Sequence, residues 1–108
     1  MSMTPLAARR CRHRTEGLSR AEAEAHLDEL PGWTLGDSGI AKTFSFANFH
    51  ETMAFVNAVA WIAHREDHHP DMTVGYNRCR IQWSTHSVGG LSENDLICAA
   101  KVEGLGVD

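Results

Sequence analysis

From Phe49 to Ala63 the chain repeats apolar residues at steps of four and three, through Met53, Val56 and Ala60. Only a helix gathers such positions on one face, so the pattern predicts a helix of about four turns. Asn48-Phe49-His50-Glu51 has the form of a cap at its start. Pro70 marks its end, because the residue before a proline is pushed out of helical geometry. On both sides of this helix the period changes to two. Upstream, Trp33 and Leu35 alternate with polar neighbours, Asp37-Ser38-Gly39 supplies a turn, and Ile40, Phe44 and Phe46 share one face of a second extended run. Downstream, Met72, Val74 and Tyr76 alternate and Asn77-Arg78 offers a tight turn. Cys79, Ile81, Trp83 and Thr85 then face one way, while Arg80, Gln82, Ser84 and His86 face the other.

Two further helices flank the hairpins. Ser19-Arg20-Ala21-Glu22 reads as a capping box ahead of Ala23, Leu27 and Leu30, with Pro31-Gly32 as the stop. Ser92-Glu93-Asn94-Asp95 opens the last helix after the flexible Gly89-Gly90, and Leu91 and Leu96 are placed to staple its first turn. The order α-β-β-α-β-β-α predicts an α+β fold, a four-stranded antiparallel sheet with three helices packed on one face. At 108 residues and 43% hydrophobic content the chain supports one ordinary core, so a single domain is expected over residues 16–108. Residues 1–15, with Arg9, Arg10, Arg12 and Arg14 in a segment without apolar periodicity, are expected to form a flexible basic tail.

A formal charge of −4 argues against general nucleic-acid binding, which needs clustered Lys and Arg on the folded surface. No run approaches the ~20 apolar residues of a membrane span, and the N-terminus has no apolar core of a secretory signal, so a soluble cytoplasmic protein with no membrane partner is expected. Cys11, Cys79 and Cys98 are odd in number and lack a CxxC spacing, which suits a reducing compartment rather than a disulfide framework.

The placement of the histidines is more informative than their number. His64, His68 and His69 crowd the end of the long helix together with Glu66, Asp67 and Pro70. A lone histidine at a helix C-terminus needs no function, since it complements the dipole there. Two adjacent histidines fixed by a proline are different, because two rings that titrate near neutral pH are then held in a rigid turn. His86 alone would be an ordinary solvated residue on the polar face of a strand, and Asp95 alone would be a carboxylate at a helix start. Tyr76 and Trp83 fall on the apolar alternation and read as packing residues.

The set His64, His68-His69-Pro70, Tyr76, His86 and Asp95 resembles the motif of the pterin-4a-carbinolamine dehydratases. The resemblance takes in Leu30-Pro31-Gly32-Trp33, Phe44-Ser45-Phe46, Met53-Ala54-Phe55-Val56-Asn57, Tyr76-Asn77 and Gly90-Leu91-Ser92, and covers roughly residues 17 to 105. One position departs: His64 stands where the animal enzymes often carry a carboxylate. The resemblance implies dehydration of 4a-hydroxytetrahydrobiopterin, or a related 4a-hydroxytetrahydropterin, to quinonoid dihydropterin and water, recycling pterin after an aromatic amino acid hydroxylase. It implies a catalytic set of His68, His69, His86 and Asp95, in which His68 and His86 are the acid/base pair, His69 orients the pterin and Asp95 fixes or polarises a ring. Pterin contacts are implied at Asp67, His68, His69, Pro70, Ser84, Thr85, His86 and Ser87, with His64 and Tyr76 in support. Proton transfer is all that this reaction asks, so no metal and no cofactor is expected. A homodimer formed by pairing sheet edges and assembling further into a homotetramer is also implied.

Two other readings compete. His64 and His68 lie four apart and could share a metal ion, although Glu66 is one position away from where a zincin glutamate would fall. Relatives of this fold also act as dimerisation or assembly cofactors, a role that would not need the histidines.

Overall fold

In the computed structural model, which describes residues 4–107, the two periodicities sort into the two layers of an α+β domain. Four strands, β1 (Thr34–Leu35), β2 (Ile40–Ser45), β3 (Asp71–Val74) and β4 (Arg78–Trp83), form one antiparallel sheet in the spatial order β1-β2-β4-β3. The register between the central strands sets Ile40 opposite Trp83 and Phe44 opposite Cys79. All four, with Ile81, are buried on the face that carries the helices. Thr43, Ser45, Arg78 and Arg80 alternate with them and stay exposed on the other face. Gly39 lets β2 start this close to β4, since a Cβ there would come within 2.5 Å of the Trp83 carbonyl oxygen.

Three α-helices cover the inner face: α1 (Arg20–Glu24), α2 (Phe49–Glu66) and α3 (Glu93–Glu103). The capping boxes expected at Ser19/Glu22 and Ser92/Asp95 are both formed, and Asn48 accepts from the Glu51 amide at the start of α2. Helix α3 is the most buried element, with Leu96, Ile97, Cys98, Ala99 and Val102 all fully enclosed.

Several expectations are corrected. The first helix stops at Glu24, and Leu27–Glu29 continues as a separate 3-10 turn, so the pattern from Ala23 to Leu30 spans two short pieces. In α2 the buried residues are Thr52, Phe55, Val59, Ala63 and Glu66, whereas Phe49 and Ala60 of the expected stripe are exposed and Met53 and Val56 half-buried. The apolar positions of α2 extend around more of the helix than the sheet can cover, and Thr52 spends its hydroxyl on the carbonyls of Asn48 and Tyr76, which lets a polar residue face inward. Tyr76 is not a packing residue: it sits 65% exposed in the turn between β3 and β4, where Gly75 bonds back to Arg78, one position earlier than the turn expected at Asn77-Arg78. Trp83 does pack, fully buried.

The largest difference concerns the basic segment. From Thr4 to Thr15 it crosses the molecule as a strap along α3 instead of trailing as a tail, with a 3-10 turn at Leu6–Ala8 that inserts Leu6 fully into the core. Its arginines meet acids supplied by the helices: Arg9 and Arg14 pair with Glu93, and Arg10 with Glu66. Local periodicity could not reveal this, because the acids that pair with the strap's arginines lie more than 50 residues away in the chain.

Candidate active site

Helix α2 ends in a left-handed residue, Asp67, at φ 51° and ψ 46°. An aspartate tolerates this region better than most side chains. The turn it makes lets the His68 amide bond back to the Ala63 carbonyl at 3.1 Å, closing the helix end before Pro70 takes the chain into β3. Held in this way, the His68 ring lies nearly parallel to the Trp83 indole, with centroids 5.7 Å apart and 12° between planes.

The edge of the His68 ring meets Asp95 from the first turn of α3, Nε2 to Oδ1 at 2.6 Å. Asp95 is fully buried, and its second oxygen is fully used: Oδ2 accepts from the Thr85 hydroxyl at 2.8 Å and from the Ser92 amide at 2.9 Å. The Ser92 bond is one half of the capping box of α3, so the carboxylate that starts the helix also holds the ring. With Oδ2 occupied by two donors, Oδ1 is left as an acceptor facing Nε2, and the contact is satisfied by a hydrogen on Nε2. In that tautomer the ring's lone pair is on Nδ1.

Beyond β4 the chain pairs Thr85 with Gly90 and encloses a 3-10 turn, His86–Val88, which Gly89 ends at φ 70°. His86 therefore opens a turn instead of ending a strand, and its ring is exposed. A cavity of about 550 Å³ lies between this turn and the end of α2, within the size range of small-molecule sites. Asp67, His68, His69 and Pro70 line one side, and Ser84, Thr85, His86 and Ser87 line another. Asp95 stands behind His68 and does not reach the cavity. His64 lies outside it, against Trp61 at 5.4 Å between ring centroids, and Tyr76 is also outside, stacked on Phe49. His64 and His68 thus do not face a common ion, and among the described residues no three His, Cys, Asp or Glu side chains are grouped to hold one.

The wall that sequence reasoning missed is the strap: Cys11, Arg12, His13 and Arg14 also line the cavity. Two buried polar residues dock it. The Asn94 side chain accepts from the Arg12 amide and the Arg14 guanidinium and donates to the Arg12 carbonyl, while Glu66 accepts from the Cys11 amide at 2.8 Å. The only sequence signal was Glu66 itself, an acid on the inward side of α2. Burial alone would push the Glu66 carboxyl up, but the Cys11 amide, the Arg10 hydrogen bond and the charges of Lys101 and Arg10 outweigh it and hold the group below its ordinary value of 4.5. A depressed carboxyl stabilises the docked strap fully above that ordinary value, and the contribution is lost as pH falls through the lowered folded value. Thermal midpoints measured in the acid range should therefore fall more steeply in the wild type than in Glu66→Gln. Identical slopes would show that Glu66 does not carry this dependence.

The family model for "Pterin 4 alpha carbinolamine dehydratase" matches residues 16–105. A protein of Nitrosomonas eutropha named "Putative pterin-4-alpha-carbinolamine dehydratase" is 59% identical over 102 residues, covering 91% of this chain and 90% of its own. One of the same name from Nitrosomonas europaea is 62% identical over 87 residues, covering 80% and 77%. Among solved structures, a transcriptional coactivator/pterin dehydratase from Brucella melitensis superposes with a TM-score of 0.79 at 32% identity, over 83% of this chain and 98% of that one. A pterin dehydratase-like protein identified as a RuBisCO assembly factor in the alpha-carboxysome shares the fold at a TM-score of 0.61 and 24% identity, over 71% and 92%. The first of these structures carries the same sheet-and-helix architecture, and the matched residues 16–105 contain every element of the sheet, all three helices and both histidine segments: the chain belongs to the pterin 4 alpha carbinolamine dehydratase family.

Proposed function

We propose that the chain is a hydro-lyase that dehydrates a 4a-hydroxytetrahydropterin, 4a-hydroxytetrahydrobiopterin or a close relative, to the quinonoid dihydropterin and water. The observation that carries this reading is the His68–Asp95 pair at the back of a polar cavity that His69 and His86 also line, with His13 of the strap on its rim. The reaction removes the N5 proton and expels the 4a-hydroxyl with an added proton, so it needs one acceptor and one donor and no net change in the protein. His68 is suited to accept, because its Nδ1 lone pair is free while Nε2 is tied to Asp95, and the imidazolium formed would face that carboxylate at 2.6 Å. His86, across the cavity on the turn after β4, is suited to protonate the departing hydroxyl. His69 and the Ser84–Ser87 segment supply polar contacts that orient the heterocycle.

Mixing the protein with synthetic 4a-hydroxytetrahydropterin and following the quinonoid absorbance should show dehydration well above the spontaneous rate. A rate equal to the spontaneous one would overturn the assignment. The competing assembly role has no comparable support, since the likeness to the carboxysome protein shows the fold alone.

We also infer self-association. Strand β3 is an edge, paired only with β4, and Val74, Tyr76, Phe49 and Trp61 are large apolar side chains left 41–65% exposed. Light scattering should give the mass of two or four chains, and a single-chain mass at micromolar concentration would refute it.

A further inference from the structure

The strap brings one thiol against another. Cys11 Sγ lies 3.5 Å from Cys98 Sγ, although the two residues are 87 positions apart, and the Cys11 sulfur also contacts the Asn94 carbonyl at 3.6 Å. The two thiols differ in access. Cys98 is fully enclosed in α3, whereas Cys11 is half-buried and lines the cavity of the active site. We propose that Cys11 and Cys98 form a reversible redox modification site, at which a small peroxide entering through the cavity converts the dithiol to an intramolecular disulfide that locks the strap onto α3.

Sulfur atoms already in contact need to close by only about 1.5 Å to reach a bond of roughly 2.05 Å, a movement the strap's backbone can supply without disturbing α3. In the first step Cys11 attacks the peroxide: an S–O bond forms, the O–O bond breaks, and the released oxygen leaves as water, giving a sulfenic acid. In the second, Cys98 attacks that sulfur, the S–S bond forms, the S–O bond breaks, and the Cys98 proton leaves with the hydroxyl as a second water. The two thiols are oxidised by two electrons and the peroxide is reduced to water. A dithiol reductant reverses the reaction by exchange. The roles follow from the surroundings. The thiol hydrogen bond with Cys11, together with burial, holds the Cys98 thiol in its protonated form, so Cys98 resolves and does not initiate. Cys79, buried on β4 and with no thiol partner among the described residues, takes no part.

The bond would close a loop of nearly the whole chain, which constrains the unfolded state strongly. It would also fix the wall carrying Arg12 and His13 against the cavity, so the oxidised protein keeps a closed rim where the reduced one relies on hydrogen bonds to Asn94 and Glu66.

Treatment of the purified full chain with hydrogen peroxide, followed by alkylation under denaturing conditions and intact-mass measurement, tests this. The expected product has lost two hydrogens, retains one alkylatable thiol in place of three, yields a Cys11–Cys98 cross-linked peptide, and melts about 5 °C or more above the reduced form. Dithiothreitol should restore three thiols and the original midpoint. Cys11→Ser, at the accessible position, should instead leave both remaining thiols free under the same treatment. Three free thiols after oxidation, irreversible oxygen addition at Cys11, or a cross-link between chains would each overturn the proposal.

Discussion

Asp95→Asn is expected to fold normally yet lose about a hundredfold to ten-thousandfold in kcat, with KM little changed. The reasoning runs through the orientation of the amide. The oxygen position nearest Ser92 and Thr85 must accept from the Ser92 amide, so the asparagine oxygen belongs there and the NH2 group takes the place that faces His68. A donor at that place forces His68 to present a lone pair on Nε2 and a hydrogen on Nδ1. The ring would then stand where it stood, stacked on Trp83, in the tautomer that cannot accept a proton from the cavity side. Full removal with Asp95→Ala acts differently. It leaves the buried Ser92 amide without an acceptor and the His68 edge unpaired, and should cost about 3–5 kcal/mol of stability as well as activity. Steady-state kinetics beside thermal melts separate the two outcomes. Unchanged kcat in Asp95→Asn would remove the carboxylate from the chemistry and leave it a helix cap.

His86→Ala should show a cleaner split. The ring is exposed and makes no hydrogen bond to another described residue, so stability should change by no more than about 0.5 kcal/mol. Activity should nevertheless fall by about a hundredfold or more, because the leaving hydroxyl would lose its proton donor. Dehydration assays at saturating pterin decide it. A variant with wild-type kcat would exclude His86 as the acid and move that role to His69, which lines the same cavity.

Most of the fold could be read from local pattern because its signals are local. The capping boxes at Ser19 and Ser92 act over three residues, and the alternation of Cys79, Ile81 and Trp83 needs only the sheet's own geometry. What could not be read depends on partners far along the chain. The rotation of α2 is one case: Phe49, Met53, Val56 and Ala60 make a regular stripe, but which side faces the sheet is set by Phe55 and Val59 meeting Phe44 and the other core residues. The strap is another, since Arg9, Arg10 and Arg14 look like a solvated charge run until Glu66 and Glu93 are brought to them by tertiary packing. For the site, His68, His69 and the Ser84–Ser87 segment converge on one cavity, while His64 and Tyr76 fall outside it although they belong to the same spaced pattern. Spacing along a chain does not say whether a residue at a helix end points toward the cavity or past it.

The left-handed turn at Asp67 ties the direction of His68 to the last residues of α2, and that places a limit on how the chain can vary in length. Each residue added to or removed from α2 turns everything after it by about 100° around the helix axis. A single insertion anywhere between Phe49 and Glu66 would swing the His68 ring off the Trp83 face and away from Asp95, whereas an insertion in the exposed turn between β1 and β2 would leave both untouched. The helix thus works as a ruler, and tolerance to insertions and deletions should be lowest within it.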